Sequence, residues 1–147
     1  MVTINMNSDF KIPLLEDEIN EIKDLIEKRD HCKITISKSF TTLWFIGDNN
    51  ETELRLNFLP PVRLTVSRVC FHNRRQGIME DVLNLLEKYC KNYGIPKLCI
   101  QSVLTKEMDN FCRKWNIQPD PYASIPMEDF ISGDHVKEIE NEVYDDR

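Results

Sequence analysis

The sequence predicts an α/β domain with a mixed, largely antiparallel sheet flanked by helices. Apolar residues recur at helical spacing in three segments, and runs rich in β-branched and aromatic residues stand between them. Residues 62–103 read as strand, helix and strand, a crossover that places the two strands parallel. The 147 residues, 41% hydrophobic and 30% charged, suffice for one core. We expect one domain over residues 1–138 and a frayed acidic tail over 139–147.

The first half of the chain predicts one helix followed by antiparallel strands. An amphipathic helix over residues 14–29 follows from acids at its start and from an apolar stripe, Leu15, Ile19, Ile22 and Ile26. Three runs rich in β-branched and aromatic residues then predict strands: "KITISKSF", "TTLWFIG" and "TELRLNF". The cluster "GDNNE" predicts a turn before the third run. Pro60 and Pro61 cannot donate to a ladder, so they separate these strands from the next one, "VRLTVSRVCF".

The second half predicts two more helices around a short strand. A helix over residues 78–92 ends at "NYGIP", where a glycine stop precedes a proline. The apolar run "KLCIQSV" follows as a strand, and Thr105 can cap a helix over residues 105–115. From Asn116 onward, prolines and acids predict short extended pieces.

The stretch "RRQG" lies where the strand turns directly into the helix at 78. The first N–H groups of such a helix are unpaired and form a positive cradle for an anion. Gly77 allows close approach to the backbone, and Arg74 and Arg75 add charged donors, which suits a diphosphate. The same residues also fit a simpler interpretation, with solvated arginines and a glycine that only eases the turn.

Composition and missing motifs disfavour several classes of function. The net charge of −6 disfavours broad nucleic-acid binding, and neither G-x-x-x-x-G-K-[ST] nor G-x-G-x-x-G is present. No basic, apolar leader and no window of about 20 apolar residues is visible, so we expect a cytoplasmic protein without a membrane partner. The five cysteines include no C-x-x-C pair, which favours reduced, buried thiols and no metal site.

At "RRQGIM", after "LTVSRVCFHN", the sequence resembles the acyl-CoA pyrophosphate loop of the GNAT N-acetyltransferase superfamily. Arg74 and Gly77 match the first and fourth positions of that loop, (Gln/Arg)-x-x-Gly-x-(Gly/Ala). Two later segments resemble the family in order: "NYGIPKLCIQSV" its fifth strand, and "MDNFCRKWNIQP" the segment before its sixth strand. The resemblance covers roughly residues 62–120.

The resemblance implies transfer of an acetyl or other short acyl group from acetyl-CoA to an amine, by direct attack. The amine acceptor is not identified, since residues that would shape its pocket resemble the family least. Oligomeric state stays open, a homodimer included. The implied cofactor-binding residues are the strand end that would pair with the pantetheine arm, the loop that would hold the pyrophosphate, and the cap of the last helix: Val69, Cys70, Phe71, Arg74, Arg75, Gln76, Gly77, Ile78, Met79 and Thr105.

The resemblance also places a candidate general acid. Cys112 stands where many members carry a tyrosine that protonates the departing CoA thiolate, and a thiol can donate a proton. The alternative for Cys112 is packing in the core, because it shares an apolar helix face with Met108, Phe111 and Trp115.

Glu53 is the candidate general base, because the attacking amine must be neutral and a carboxylate near the strands can accept its proton. Glu51 and His72 are alternatives for this role. The alternative for all three residues is a solvated surface position, since the sequence gives no geometry that supports a catalytic role.

Two rival functions stay open at this point. Met79 replaces the small residue that closes the family loop, Thr105 replaces a frequent asparagine, and Cys112 replaces the tyrosine, which fits a catalytically inactive GNAT-like binding or regulatory protein. The acidic tail "KEIENEVYDDR" could instead engage a basic protein partner, although charged termini are often simply solvated.

Overall fold

Three helices and seven strands make up the part of the chain that the computed structural model describes, residues 12–59, 62–73 and 77–139. The side chain of residue 102 is also outside that description. In chain order the elements are α1 (Glu16–Asp30), β1 (Ile34–Ser39), β2 (Thr42–Gly47), β3 (Glu53–Leu59), β4 (Arg63–Cys70), α2 (Ile78–Tyr93), β5 (Lys97–Val103), α3 (Lys106–Lys114), β6 (Gln118–Pro126) and β7 (Ile131–Glu138).

The strands form one sheet in the order β1-β2-β3-β4-β5-β7-β6. Neighbouring strands are antiparallel except for β4 and β5, which are parallel and are joined through α2. The predicted mixed, largely antiparallel sheet and the crossover are therefore confirmed.

Helix α1 forms where its apolar stripe predicts, but it begins two residues later and ends one residue later than expected. Leu15, expected in the buried stripe, instead precedes the helix as its N-cap and is largely exposed. Ile19, Ile22 and Ile26 are buried, and the carboxylate of Glu18 accepts a hydrogen bond from the Leu15 N–H at 2.8 Å. The next residue, His31, closes the helix in the left-handed region with φ of 55°.

Helices α2 and α3 also agree with their predicted spans to within one residue at each end. Gly77 and Gly94 flank α2 with φ of 76° and 68°, a conformation that glycine adopts without strain. The hydroxyl of Thr105 caps α3 by accepting a hydrogen bond from the Met108 N–H at 3.1 Å. None of the helices within the described ranges is long and apolar enough to cross a membrane.

One face of β2, β3 and β4 supplies the core against which α1 and α2 pack. Alternating residues along these strands are fully or almost fully buried, as period-2 alternation requires: Leu43, Phe45, Leu54, Leu56, Phe58, Leu64 and Val66. The opposite face of the same strands carries Trp44, Arg55 and Glu53, which are only partly buried. This second face is therefore the one open to a ligand.

The C-terminal region differs from the short extended pieces that its prolines suggest. β6 has nine residues and β7 has eight, and β7 inserts between β5 and β6. Pro119 and Pro126 are tolerated because β6 is an edge strand, and its pairing with β7 is interrupted between Pro119 and Ser124. Ile139 is buried and its N–H donates to the Pro96 carbonyl oxygen at 2.7 Å, whereas the rest of the predicted tail lies outside the described residues.

Candidate acyl-CoA site

Strands β4 and β5 run side by side for only part of their length. Their parallel pairing begins at Arg63 with Lys97 and ends at Val66 with Ile100, although β4 continues to Cys70. Beyond that point the backbone of β4 has no strand partner on the β5 side within the described residues. These backbone groups are available to an amide-bearing ligand, which could pair with β4 as an added strand does.

A bulge lies in β4 at the point where the two strands part. Arg55 of β3 pairs with Arg68, and Leu56 pairs with Val66, so Ser67 is an extra residue on β4. Its hydroxyl donates to the Arg55 carbonyl oxygen at 3.2 Å. A bulge bends its strand and increases the local twist, which accounts for the departure of β4 from β5.

The start of α2 presents unpaired amides. The first hydrogen bond within the helix runs from the Asp81 N–H to the Gly77 carbonyl oxygen at 3.1 Å. The N–H groups of Ile78, Met79 and Glu80 precede it and have no acceptor among the residues that the structure describes. Together with the helix dipole, these amides favour an anion at this position.

The charged residues around the start of α2 include one that the sequence did not single out. Arg29, near the end of α1, forms an ion pair with Asp81, and its Nη2 lies 3.3 Å from the point where a Cβ on Gly77 would stand. Glu80 faces Lys114 at 3.8 Å. Each carboxylate in the first turn of α2 therefore has a cationic partner, and the guanidinium of Arg29 lies beside the predicted cradle.

The predicted loop residues lie only partly within the described chain. Arg74, Arg75 and Gln76 are outside it, so their assignment stays a prediction. Ile78 is buried, and Met79 is partly buried against the core cluster. The long side chain of Met79 is therefore accommodated by packing.

A cleft of about 380 Å³ opens on the partly buried face of the sheet. Glu53 is one of its lining residues, with its side chain 28% exposed and its Oε1 accepting a hydrogen bond from Arg68 Nε at 2.8 Å. The cleft brings Glu53 together with the predicted pantetheine-binding strand end. Its full lining is Ile46, Gly47, Asn50, Glu51, Thr52, Glu53, Arg68, Cys70 and Phe71.

The other two candidate bases form a pair beside the cleft. His72 Nδ1 lies 2.6 Å from Oε1 of Glu51. The hydrogen bond with Glu51, followed by the charge of that carboxylate, raises the pKa of His72 above its ordinary value. Both side chains are about half exposed, so each can also reach solvent.

The sequence matches no protein-family model and no curated protein sequence. Among solved structures, a "probable acetyltransferase" from Staphylococcus epidermidis ATCC 12228 is similar with a TM-score of 0.51 and 12% identity, over 83% of this chain and 77% of that one. An acetyltransferase structure of similar description from Agrobacterium tumefaciens has a TM-score of 0.50 and 14% identity, over 87% of this chain and 95% of that one. The chain has the GNAT fold.

A further similar structure is a GNAT family acetyltransferase from Elizabethkingia anophelis with acetyl-CoA bound. Its TM-score is 0.43 at 13% identity, over 66% of this chain and 74% of that one. The structures from Staphylococcus epidermidis and Agrobacterium tumefaciens confirm the resemblance seen in the sequence for the fold alone, and the roles of individual residues stay predictions.

Within the GNAT fold of this chain, the two predicted catalytic residues are not in one place. Glu53 lines the cleft, whereas Cys112 lies on α3 with its side chain fully buried in the core cluster. Burial, followed by the charge of Asp109, raises the pKa of Cys112 to about 12. Since this value lies well above that of an ordinary thiol, Cys112 is a poor proton donor to a departing thiolate. Its assignment as general acid stays a prediction.

The described residues of the GNAT fold bring no metal-binding group together. Within residues 12–59, 62–73 and 77–139, no three side chains of His, Cys, Asp or Glu are placed as metal ligands would be. Cys90, Cys99 and Cys112 are buried, and Cys32 and Cys70 are partly buried.

The buried thiols predict a loss of stability at high pH. Burial raises the pKa of Cys90 and Cys112 to about 12 and also raises that of Cys99, from an ordinary value of 9.0. The unfolded chain therefore loses these protons at lower pH than the folded chain. We expect the free energy of unfolding to be insensitive to these groups below about pH 9 and to fall as the pH rises toward about 12.

Urea unfolding at pH values across that window measures the effect. In Cys112→Ala one of the buried thiols is gone, so the fall in stability with pH should be shallower than in the wild type. An equal slope in both proteins would contradict the buried, neutral thiol.

Proposed function

We propose that this chain binds an acyl-CoA, acetyl-CoA in particular, and transfers the acyl group to an amine. The observation that carries the proposal is the parting of β4 from β5 after Val66 and Ile100, followed along the chain by the unpaired amides at the start of α2. A ligand that combines amide groups with a diphosphate matches both features.

The residues that would hold such a ligand follow from the chemistry of its parts. The backbone groups of Val69, Cys70 and Phe71 that face away from β3 would pair with the amides of the pantetheine arm. The amides of Ile78 and Met79 would receive the diphosphate, with Gly77 allowing its close approach and Arg29 as a nearby cation. By resemblance to the GNAT loop, Arg74–Gln76 would complete the contacts.

Glu53 is the residue that we assign to the proton of the attacking amine. An acyl-CoA supplies a thioester, whose carbonyl carbon is open to a neutral amine and whose sulfur leaves as a thiolate. Glu53 would take the proton from the amine nitrogen as the C–N bond forms and the C–S bond breaks. A CoA thiol has an ordinary pKa, so its thiolate can leave without protonation by Cys112.

Isothermal titration calorimetry of the purified protein with acetyl-CoA tests the binding step. We expect saturable binding, and much weaker binding of acetyl-pantetheine, which keeps the arm and the thioester but lacks the diphosphate. No binding of acetyl-CoA at millimolar concentration would remove the proposal.

The transfer step is tested separately with a panel of amines, the acetylated product being detected by mass spectrometry. The burial of Cys112 favours a second candidate function, a GNAT-fold protein that binds acyl-CoA without catalysis, because the described residues then offer no acid at that position. Saturable acetyl-CoA binding without product from any amine would favour this second function.

A further inference from the structure

Asp30, the last residue of α1, is a carboxylate that is only 1% exposed. A helix C-terminus disfavours negative charge, and burial of an unpaired charge is costly. This position is therefore sustained only if strong hydrogen-bond donors surround it.

Three donors meet the two oxygens of Asp30. The His72 N–H donates to Oδ2 at 2.8 Å, the Asn73 N–H donates to Oδ1 at 2.6 Å, and the Thr52 hydroxyl donates to Oδ2. Burial acts to raise the pKa of Asp30, but the hydrogen bonds from Thr52, Asn73 and His72 outweigh it and lower the pKa. The group is therefore an ionised carboxylate at neutral pH.

The two backbone donors, His72 and Asn73, directly follow β4 and are described residues of the link that leads to α2. The side chain of Asn73 reaches the same helix end, where its Nδ2 donates to the Arg29 carbonyl oxygen at 3.3 Å. At the other end of the link, the Arg29 side chain lies beside Gly77 and pairs with Asp81. The last two residues of α1 thus hold both ends of the segment that leads into the unpaired amides of α2.

We infer that Asp30 is a positioning residue, which fixes His72 and Asn73, directly after β4, beside the site proposed for the diphosphate of acyl-CoA. This inference rests on the proposed function for its ligand. The N–H groups of His72 and Asn73 need two acceptor oxygens on one side chain. An ionised carboxylate provides both, whereas a side-chain amide provides one oxygen and an NH₂ group that can only donate. By holding His72 and Asn73 in place before the ligand arrives, Asp30 lowers the ordering cost of binding.

Asp30→Asn keeps the shape but sets an NH₂ group against a backbone N–H. We expect the Kd for acetyl-CoA to rise about tenfold, since one buried N–H loses its acceptor and the link loosens. Asp109→Asn is the matched control, because Asp109 is also 1% exposed and accepts hydrogen bonds from Ile131, His135 and Arg113, between α3 and β7. Both variants should lose thermal stability, and only Asp30→Asn should lose affinity.

Amide hydrogen exchange without ligand separates this inference from the proposed function. In Asp30→Asn the amides of His72 and Asn73 should exchange faster, whereas in Asp109→Asn they should stay protected. If the wild type binds no acetyl-CoA, the proposed function fails while exchange still reports on the link. Unchanged exchange at both amides, or equal acetyl-CoA affinity in the two variants, would overturn the positioning role.

A second variant covers the case in which Asp30→Asn does not fold. Asn73→Ala removes only the side-chain bond to the Arg29 carbonyl oxygen and leaves the Asp30 carboxylate in place. We expect the Kd for acetyl-CoA to rise about threefold with the fold retained. An unchanged Kd in this variant would count against the inference.

Discussion

Gly77→Asp is expected to weaken acetyl-CoA binding about a hundredfold in a protein that stays folded. The new carboxylate would stand at the start of α2, beside Arg29 and next to the amides proposed for the diphosphate. Like charges at roughly 6 Å and an effective dielectric constant of about 20 repel by about 3 kcal/mol, which is about a hundredfold in Kd. Calorimetric titration with acetyl-CoA measures the change.

The matched control is Gly77→Asn. Asn and Asp both tolerate the left-handed conformation that Gly77 adopts, and both are favourable at a helix N-cap. The two variants should therefore have similar melting temperatures, and Asn should bind acetyl-CoA far better than Asp. Equal Kd values for the two variants would show that no anion binds at this helix start.

The secondary structure of this chain was predictable because its signals are local. The glycine stop at Gly94 and the Thr105 cap act within a few residues, and the structure shows both. The apolar stripe of α1 likewise acts over four turns of helix. Such signals specify where an element begins and ends without reference to the rest of the fold.

The C-terminal hairpin was less predictable, because its stability comes from distant partners. β7 pairs with β5, from Lys97 with Glu138 to Val103 with Gly133, and it carries β6 on its other edge. Prolines in β6 lower its local strand propensity. The pairing with β7 outweighs this effect, but it depends on residues distant in the chain and gives no periodic pattern in the sequence. The edge position that tolerates those prolines becomes visible only with the sheet order.

The candidate site shows the same division. Gly77 and the helix start at 78 are local features, and the sequence located both. Asp30 accepts hydrogen bonds from the amides of His72 and Asn73, and Arg29 pairs with Asp81. Thr52 in turn donates to Asp30. These contacts join distant parts of the chain and depend on how α1 packs beside α2. Sequence separation alone hides such contacts, so their roles became apparent only from the structure.

Glu53→Gln is expected to lower the rate of acyl transfer about a hundredfold and to leave the Kd for acetyl-CoA unchanged. Gln keeps the size of the side chain and can still accept a hydrogen bond from Arg68, but it cannot take a proton from the amine. The acetyl-CoA contacts proposed above involve the β4 backbone and the start of α2, which this change does not alter. Steady-state rates with saturating acetyl-CoA, beside calorimetric Kd values, separate the two effects.

Glu51→Gln supplies the comparison from the same cleft, because Glu51 is a neighbouring carboxylate whose partner is His72. A loss of rate in Glu51→Gln with none in Glu53→Gln would move the base to the Glu51–His72 pair. If the pair is the base, the pH profile of Glu51→Gln should also shift. Glu51 raises the pKa of His72, so that pKa would fall when the carboxylate is removed. Since neutral His72 is the form that accepts a proton, the rising limb of activity would then move to lower pH in Glu51→Gln.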